Sequence, residues 1–324
     1  MIKLDAYDKK ILEILLNNSR TQITTIAKKV RLKRENVNYK INRLIKLGLI
    51  KEFNVITNEG KLNLTHYTVF IELINLKSDT EKQILNYLEK NKYMTWIGPA
   101  AGKWSLIFDV ILNERIELDS AMKDLFNKFG KHIGEYIILR NQNAEYFNLK
   151  PLKGMKKSGI EKHKISKVKL DEKDMKILSL LNEDTRCNYA KISSKIGLTP
   201  NGINKRVKNL EKSGVIEGYT SSIDWKKLGY EWYGLQLKLT KFSEETNKEL
   251  QNYLREHEKI IFYNKYLGGA WDYDIGLLVK NSEEVRMFIN EFRAKFFESI
   301  KIYDVFLVLG EIVGYKLPRG VFAY

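Results

Sequence analysis

Two stretches of the chain carry the same pattern of three short helices followed by a strand. In the first, apolar residues recur at helical spacing within Ile11–Leu16, Ile23–Val30 and Val37–Leu44. Gly48 ends the third helix, and the apolar run Leu49–Ile56 that follows has strand character. This order of elements predicts a helix-turn-helix with a β wing.

The second stretch repeats the first one 166 residues further along the chain. Leu4-Asp5 corresponds to Leu170-Asp171, and Gly48-Leu49-Ile50 corresponds to Gly214-Val215-Ile216. This period is much longer than the period of solenoid repeats, so the pattern indicates a duplicated pair of domains.

The outward faces predicted for the two third helices are rich in amides and cations, which contact base edges and phosphates in a DNA major groove. We therefore predict double-stranded DNA as a partner. The predicted DNA-binding residues are Arg31, Lys33, Arg34, Asn38, Tyr39, Lys40, Asn42 and Arg43 in the first copy, and Thr199, Asn201, Asn204, Lys205, Arg206 and Lys208 in the second. Residues 31–46 carry six basic side chains and residues 199–214 carry four, so we expect the first copy to contribute more of the salt-dependent affinity.

Each predicted DNA reader is followed by a β-α-β-β-α-β pattern, which is typical of a ferredoxin-like fold. In the first copy the second helix is predicted over 118–129 and the closing strand over 133–139, and in the second copy the closing strand is predicted over 300–308. Such sheets leave one face free, so we expect the two copies to pack sheet against sheet inside the chain. We predict an α+β fold with two winged helix-turn-helix domains and two ferredoxin-like domains in a tandem repeat. The predicted domains are 1–57 and 170–224 (winged helix-turn-helix), 58–149 and 225–324 (ferredoxin-like), and 150–169 (a basic linker).

The formal net charge of +16 is concentrated in two segments. Residues 1–57 hold 13 Lys and Arg against 5 Asp and Glu, and the linker 150–169 holds 8 against 1. A charge that is focused in this way favours a polyanionic partner over a uniformly solvated surface.

Several other classes of protein are disfavoured. The chain has no long uncharged apolar run and no signal-peptide core, so we expect a cytoplasmic location without a membrane partner. The single cysteine, Cys187, and four scattered histidines give no metal-ligand spacing, so we expect no metal and no cofactor. His66, His132 and His257 are expected at the surface, and no histidine or carboxylate constellation is evident, so we expect that the chain is not an enzyme.

Three segments of the second half carry a family resemblance. They are Ile196-Gly197-Leu198-Thr199-Pro200, then 206–216, and finally Gly269-Ala270-Trp271-Asp272. The first half looks like a diverged copy, with Lys33-Arg34 in place of Thr-Pro and Ser105 in place of Asp272. With these motifs the chain resembles the leucine-responsive regulator/AsnC family, also called feast-famine regulators, over nearly its whole length apart from the linker.

Members of that family usually have one such unit and dimerise through the α+β domain. The resemblance therefore implies that this chain is a covalent pseudo-dimer with two recognition helices, and that it self-associates through the ferredoxin-like domains. It also implies a small-molecule effector, such as an amino acid, near a Gly-x-x-Asp turn. That turn maps to Gly269 and Asp272, and in degraded form to Gly102; a purely turn-stabilising role of Asp272 is the alternative.

Two other functions remain open. Some relatives of the family decarboxylate tetrapyrroles in a similar fold, so a siroheme-type decarboxylase-like enzyme is one alternative. A protein-interaction module with vestigial DNA readers is the other, and the charge of the first reader speaks against it.

Overall fold

A computed structural model of the chain describes residues 1–113, 116–147, 168–240 and 243–322. The predicted basic linker, 150–169, therefore lies outside the described residues except for its last two positions. Within the described ranges, none of the helices combines the length and the apolar character that crossing a bilayer requires.

The first half begins with three helices and continues as a β-α-β-β-α-β unit. Its elements are α1 (Ala6–Asn17), α2 (Ile23–Val30), α3 (Arg34–Lys46), β1 (Ile50–Thr57), β2 (Leu64–Leu73), α4 (Ser78–Lys90), β3 (Met94–Ala101), β4 (Leu106–Asn113), α5 (Leu118–Phe129) and β5 (Ile133–Tyr146). Asp5 begins α1 with a capping box, in which its carboxylate accepts from the backbone N–H of Asp8 and the Asp8 carboxylate accepts from that of Asp5.

The second half repeats this order. Its elements are α6 (Glu172–Glu183), α7 (Tyr189–Ile196), α8 (Pro200–Lys212), β6 (Ile216–Ile223), β7 (Glu231–Leu239), α9 (Glu244–Glu256), β8 (Ile260–Tyr266), β9 (Tyr273–Val279), α10 (Ser282–Phe296) and β10 (Ile300–Val308). Asp171 and Asp174 form the same capping box, and Thr199 caps α8 with Pro200 in its first turn. The predicted fold class, two winged helix-turn-helix units and two ferredoxin-like units in tandem, is confirmed.

The two ferredoxin-like units share one closed eight-stranded barrel, in the order β10-β3-β4-β2-β5-β8-β9-β7. The halves join where β5 pairs with β8, and where Leu307 and Val308 of β10 pair with β3. This arrangement goes further than the expected packing of sheet against sheet, because the edges of the two sheets are hydrogen-bonded to each other. Closure removes exposed strand edges at both joints.

Side chains alternate between the outside and the inside of the barrel. On the outside, Val69 and Phe108 pack in a cluster with residues of α4 and α5, and Ile275 packs with residues of α10. On the inside, Phe70 and Trp104 form a separate cluster with aromatic residues of the second half. The four outer helices and the strands thus enclose a barrel interior to which both halves contribute.

The wing strands of the two halves pair with each other rather than within their own halves. β1 and β6 run antiparallel, from Ile50 opposite Ile223 to Thr57 opposite Ile216. Val55 of β1 belongs to the apolar core of the second winged-helix unit, and Ile223 of β6 belongs to that of the first. The sequence predicted a wing for each unit, but it did not predict that the wings join the two units.

The C-terminal segment, residues 309–322, connects the barrel with both winged-helix units. The Glu311 side chain accepts from Lys51 Nζ at 3.2 Å and from Trp96 Nε1 at 3.0 Å. Lys316 Nζ lies 3.0 Å from a carboxylate oxygen of Glu52. The sequence placed this segment in the second ferredoxin-like domain, 225–324, and gave no prediction of its contacts with the wing.

Candidate nucleic-acid interface

The packing of α3 and α8 sets the direction of their polar faces. Val37, Ile41 and Leu44 of α3 are buried in the core of the first winged-helix unit. Ile203, Val207 and Leu210 of α8 are buried in the second unit. Because one face of each helix is anchored in this way, the opposite face points to solvent, where a DNA groove can receive it.

The exposure of the predicted DNA-binding residues falls into two groups. The exposed group comprises Arg31, Lys33, Arg34, Asn38, Tyr39, Asn42, Thr199, Asn201, Lys205 and Lys208. The half-buried group comprises Lys40, Arg43, Asn204 and Arg206. Tyr39 is 68 % exposed, an unusual position for a tyrosine that serves only packing.

The half-buried cations of α3 are paired with the start of α1. Lys40 Nζ lies 2.5 Å from a carboxylate oxygen of Asp5 and 3.1 Å from one of Asp8, and Arg43 Nη2 lies 2.5 Å from Asp8. Burial opposes the charge of Lys40, but hydrogen bonds to Asp5 and Asp8 outweigh it and raise the Lys40 pKa. The hydrogen bond from Lys40 in turn lowers the pKa of Asp5. These two cations are therefore already neutralised in part within the protein.

The second unit repeats the pairing with one cation. Arg206, the counterpart of Lys40, lies 2.7 Å from Asp174 and 2.8 Å from Asp171. The exposed cations of the recognition segments are then Arg31, Lys33, Arg34 and Lys46 in the first unit, and Lys205, Lys208 and Lys212 in the second. The charge difference between the two readers is therefore smaller than the six against four counted along the sequence.

Two arginines at equivalent positions join the winged-helix units reciprocally. Arg20 Nη1 donates to the carbonyl of Thr185, and Arg186 Nη1 donates to the carbonyl of Ser19. The guanidinium of Arg20 lies 5.4 Å from the ring centre of Tyr219. These contacts hold the two recognition helices in one unit.

The predicted effector residues lie in two glycine turns. Gly102 and Gly269 have φ of +132° and +90°, which favour glycine. The Asp272 carboxylate accepts from the backbone N–H of Leu239 at 2.8 Å and from Lys238 Nζ at 2.9 Å. Both carboxylate oxygens of Asp272 thus join the turn to β7.

His66 is placed differently from the surface position expected for it. It is buried, with Nδ1 3.2 Å from Glu59 and Nε2 3.2 Å from Asp109. Burial opposes the charged imidazole, but the charges of Glu59 and Asp109 outweigh it and raise the His66 pKa to about 10. The expectation of surface placement was wrong for His66 because its two partners, far apart in sequence, compensate the cost of burying it. No signal in the sequence marked this cluster.

Among the residues that the structure describes, no group of three or more His, Cys, Asp or Glu side chains is arranged to hold a metal ion. His66 and its two carboxylates are arranged as ion pairs.

Sequence comparisons match both readers, and individual relatives match up to 38 % of the chain. A family model described as winged helix-turn-helix DNA-binding matches residues 4–51 and 170–217. An HTH-type transcriptional regulator of Pyrococcus furiosus is 34 % identical over 131 residues, which are 38 % of this chain and 80 % of that protein. The regulatory protein AsnC of Haemophilus influenzae is 37 % identical over 87 residues, covering 26 % of this chain and 58 % of that protein.

Two solved structures of one protein are similar over almost the full length of the chain. The crystal structure of the siroheme decarboxylase NirDL has a TM-score of 0.64 and covers 96 % of this chain and 94 % of its own, at 11 % identity. At this identity the likeness shows a common fold. It contradicts the prediction that the chain is not an enzyme, because a protein with this fold is an enzyme.

Proposed function

Because this chain belongs to the leucine-responsive regulator/AsnC family of DNA-binding transcription regulators, we propose that one chain reads two DNA half-sites as a covalent pseudo-dimer. The two recognition helices, α3 and α8, each enter a major groove. Arg34, Asn38 and Asn42 contact DNA from the first, and Asn201 and Lys205 contact it from the second. Half-sites read by such a pair lie about one helical turn, ~34 Å, or a multiple of it apart.

The reciprocal contact of Arg20 with Thr185 and Arg186 with Ser19 carries this proposal. An exchange of equivalent contacts is the signature of a two-fold interface, which a homodimer forms between two chains. Here the exchange occurs within one chain and is reinforced by the pairing of β1 with β6. The pair of readers therefore does not depend on a second copy of the protein.

The two readers differ in the residues that face DNA. Residues 35–39 read Glu-Asn-Val-Asn-Tyr, whereas residues 201–205 read Asn-Gly-Ile-Asn-Lys. Different side chains recognise different base edges, so the operator is asymmetric. Selection from a random duplex pool followed by hydroxyl-radical footprinting tests this: two protected tracts with unlike sequences support the proposal, whereas a perfect palindrome or one protected tract speaks against it.

The assignment of an effector such as an amino acid to Gly102, Gly269 and Asp272 stays a prediction. Binding at this turn requires Lys238 or the backbone of Leu239 to share the Asp272 carboxylate, since both already donate to it. Isothermal titration of the full chain with the twenty amino acids tests the assignment. Heat that disappears in Asp272→Ala supports it, and no heat with any amino acid favours the turn-stabilising role.

A decarboxylase-like activity on a tetrapyrrole is a second candidate, which the His66 cluster favours. A charged imidazole between Glu59 and Asp109 is a potential proton donor in a fold that NirDL shares. Incubation of the chain with siroheme, followed by measurement of released carbon dioxide and of the absorption spectrum, tests this function. Turnover that His66→Gln abolishes supports it, and an unchanged spectrum in the presence of the folded chain rejects it.

Self-association of whole chains through the ferredoxin-like units also stays a prediction. The joints β5–β8 and β10–β3 already satisfy two pairs of sheet edges within one chain. Sedimentation equilibrium of the DNA-free chain over a range of concentrations measures whether further copies associate. A mass of one chain at all concentrations rejects the prediction.

A further inference from the structure

The segment that connects the wing to the barrel in each half reaches the recognition helix of the other half. In the first half this connecting segment is 58–62, between β1 and β2, and in the second half it is 224–228, between β6 and β7. Lys61 and Lys227 occupy equivalent positions in the two segments, 166 residues apart like the rest of the repeat. The Nζ atom of each lysine lies at the end of the recognition helix of the opposite half.

Both lysines donate to the carbonyl of the residue that directly follows a recognition helix. Lys61 Nζ donates to the carbonyl of Ser213, after α8. Lys227 Nζ donates to the carbonyl of Leu47, after α3, at 2.7 Å. The last carbonyls of a helix have no partner within the helix and lie at the negative end of its dipole, so an ammonium group stabilises them. Each contact therefore fixes the end of one recognition helix to the opposite half.

The backbone beside each lysine makes the same crossing. The N–H of Asn58 donates to the carbonyl of Val215, and the N–H of Asp224 donates to the carbonyl of Leu49, both at 2.9 Å. Val215 and Leu49 lie two residues beyond the carbonyls that the lysines contact. The crossing is thus a property of both connecting segments, and the repeat shows it twice.

The two lysines differ in burial. Lys61 is 5 % exposed, whereas Lys227 is half-buried. Burying a cation costs free energy, and the negative end of the α8 dipole offsets this cost for Lys61. Water can replace the ammonium group of Lys227 at the half-buried site but not that of Lys61 at the buried one. The loss of Lys61 should therefore have the larger effect.

We propose that Lys61 and Lys227 are positioning residues for DNA recognition, Lys61 for α8 and Lys227 for α3. The N-terminal part of a recognition helix contacts the bases, so a contact that holds its C-terminal end sets the angle at which the helix enters the groove. Because the opposite half supplies each lysine, a change in one ferredoxin-like unit alters base reading by the recognition helix of the other half. This inference rests on the proposed function, in which the two helices read unlike half-sites.

Lys61→Met and Lys227→Met test the inference in the full chain, because Met keeps an unbranched apolar side chain and removes the charge. Lys82→Met, on α4, is the control with the same loss of charge at a side chain that is 75 % exposed. Anisotropy titrations measure the affinity of each variant for the selected operator and for operators with one base pair altered in either half-site. Asn38→Ala, on α3, and Asn201→Ala, on α8, mark which half-site each helix reads.

The expected result is a crosswise loss of discrimination. An altered base pair in the half-site of α8 should cost Lys61→Met less affinity than it costs the wild type, by about fivefold or more, while the half-site of α3 is read as before. Lys227→Met should show the reverse, and Lys82→Met should match the wild type. A general loss of stability lowers the affinity for both half-sites alike. Equal loss at both half-sites, or loss by Lys61→Met at the half-site of α3, overturns the inference.

Hydrogen exchange of the DNA-free chain tests the same contacts independently of the proposed function. Lys61→Met should speed the exchange of amides in 207–216, at the end of α8, by about tenfold or more, and should leave 41–50, at the end of α3, unchanged. Lys227→Met should act in the reverse sense and to a smaller extent. This pattern without two unlike half-sites in the operator would sink the proposed function alone. Unchanged exchange in both regions, or equal changes in both, overturns the positioning role whatever the result with DNA.

Discussion

Arg31 and Gly197 occupy equivalent positions in the two helix-turn-helix units, and both adopt a left-handed backbone conformation. Arg31 ends α2 with φ 57° and ψ 44°, and Gly197 ends α7 with φ 73° and ψ 35°. A residue with a side chain is strained in this region, whereas glycine is not. The first reader therefore keeps an exposed cation in a turn where glycine is more stable, and we expect this cation, beside α3, to contact a DNA phosphate.

Replacing Arg31 with glycine should therefore separate stability from DNA affinity. We expect Arg31→Gly to raise the free energy of unfolding by about 0.5–1 kcal/mol, because the strain is removed. The same variant should bind duplex DNA more weakly, with a salt slope that is shallower by about one unit. Urea unfolding and anisotropy titrations at several salt concentrations measure the two effects. A variant that is less stable, or that keeps the full salt slope, contradicts this role of Arg31.

The pairing of Lys40 with Asp5 predicts a variant with stronger DNA binding. Asp5→Asn keeps a residue that caps helices well and removes one negative charge beside Lys40, leaving Asp8 as its partner. We expect a higher affinity for duplex DNA and a salt slope that steepens by up to about 0.9. Asp119→Asn, an exposed change on α5, is the control with equal change in net charge. Equal effects of the two variants would show that net charge, and not the release of Lys40, is responsible.

The reciprocal arginines predict a coupled loss of stability. Arg20→Ala and Arg186→Ala should each lower the free energy of unfolding by about 1.5–3 kcal/mol, because each removes a charged donor from a partly buried carbonyl. The double variant should lose less than the sum, since the two contacts support one interface. Arg286→Ala, at an exposed site on α10, is the control. Additive losses in urea unfolding would mean that the two contacts act independently.

The buried carboxyl of Asp274 predicts a pH dependence of stability. Its pKa is raised from 3.8 to about 8 in the folded chain, mainly by burial, so the folded state holds a proton that the unfolded state releases. The contribution of this proton to the stability of the fold is therefore fully present below pH 3.8, the pKa of the unfolded state. It is lost as the pH rises toward about 8, the pKa in the folded state. The loss from this group reaches up to about 1.4 kcal/mol per pH unit.

Asp274→Asn should remove this part of the pH dependence. Urea unfolding of the wild type, Asp274→Asn and the control Asp79→Asn, which changes an exposed carboxylate on α4, measures it across the range from about pH 4 to about 8. We expect the stability of Asp274→Asn relative to the wild type to increase with pH, while Asp79→Asn follows the wild type. Parallel curves for the wild type and Asp274→Asn would refute a protonated Asp274 in the folded state.

Local patterns in the sequence were sufficient to predict the helices and strands of the fold. The ends of α5 and β10 agree with the predicted 118–129 and 300–308, because apolar periodicity and turn residues are local properties. The predicted strand 133–139 was too short. β5 continues to Tyr146 because its last residues pair with β8, and this partner lies in the other half of the chain.

The contacts between the halves could not be predicted in the same way. Lys40 looked like a free DNA-contacting cation in the sequence, but it pairs with Asp5 and Asp8 when α1 and α3 pack together. The His66 cluster and the burial of Asp274 depend on strands that are far apart along the chain. Helical and strand periodicities carry no information on which distant carboxylate faces which cation.

The number of chains bound to one operator tests the central claim most directly. The measurement is the mass, by light scattering after size-exclusion chromatography, of the complex with a selected duplex that contains both half-sites. The account predicts one chain per duplex, and the same mass after either half-site is altered, but with weaker binding. Two chains per duplex, each using a single recognition helix, would contradict the covalent pseudo-dimer.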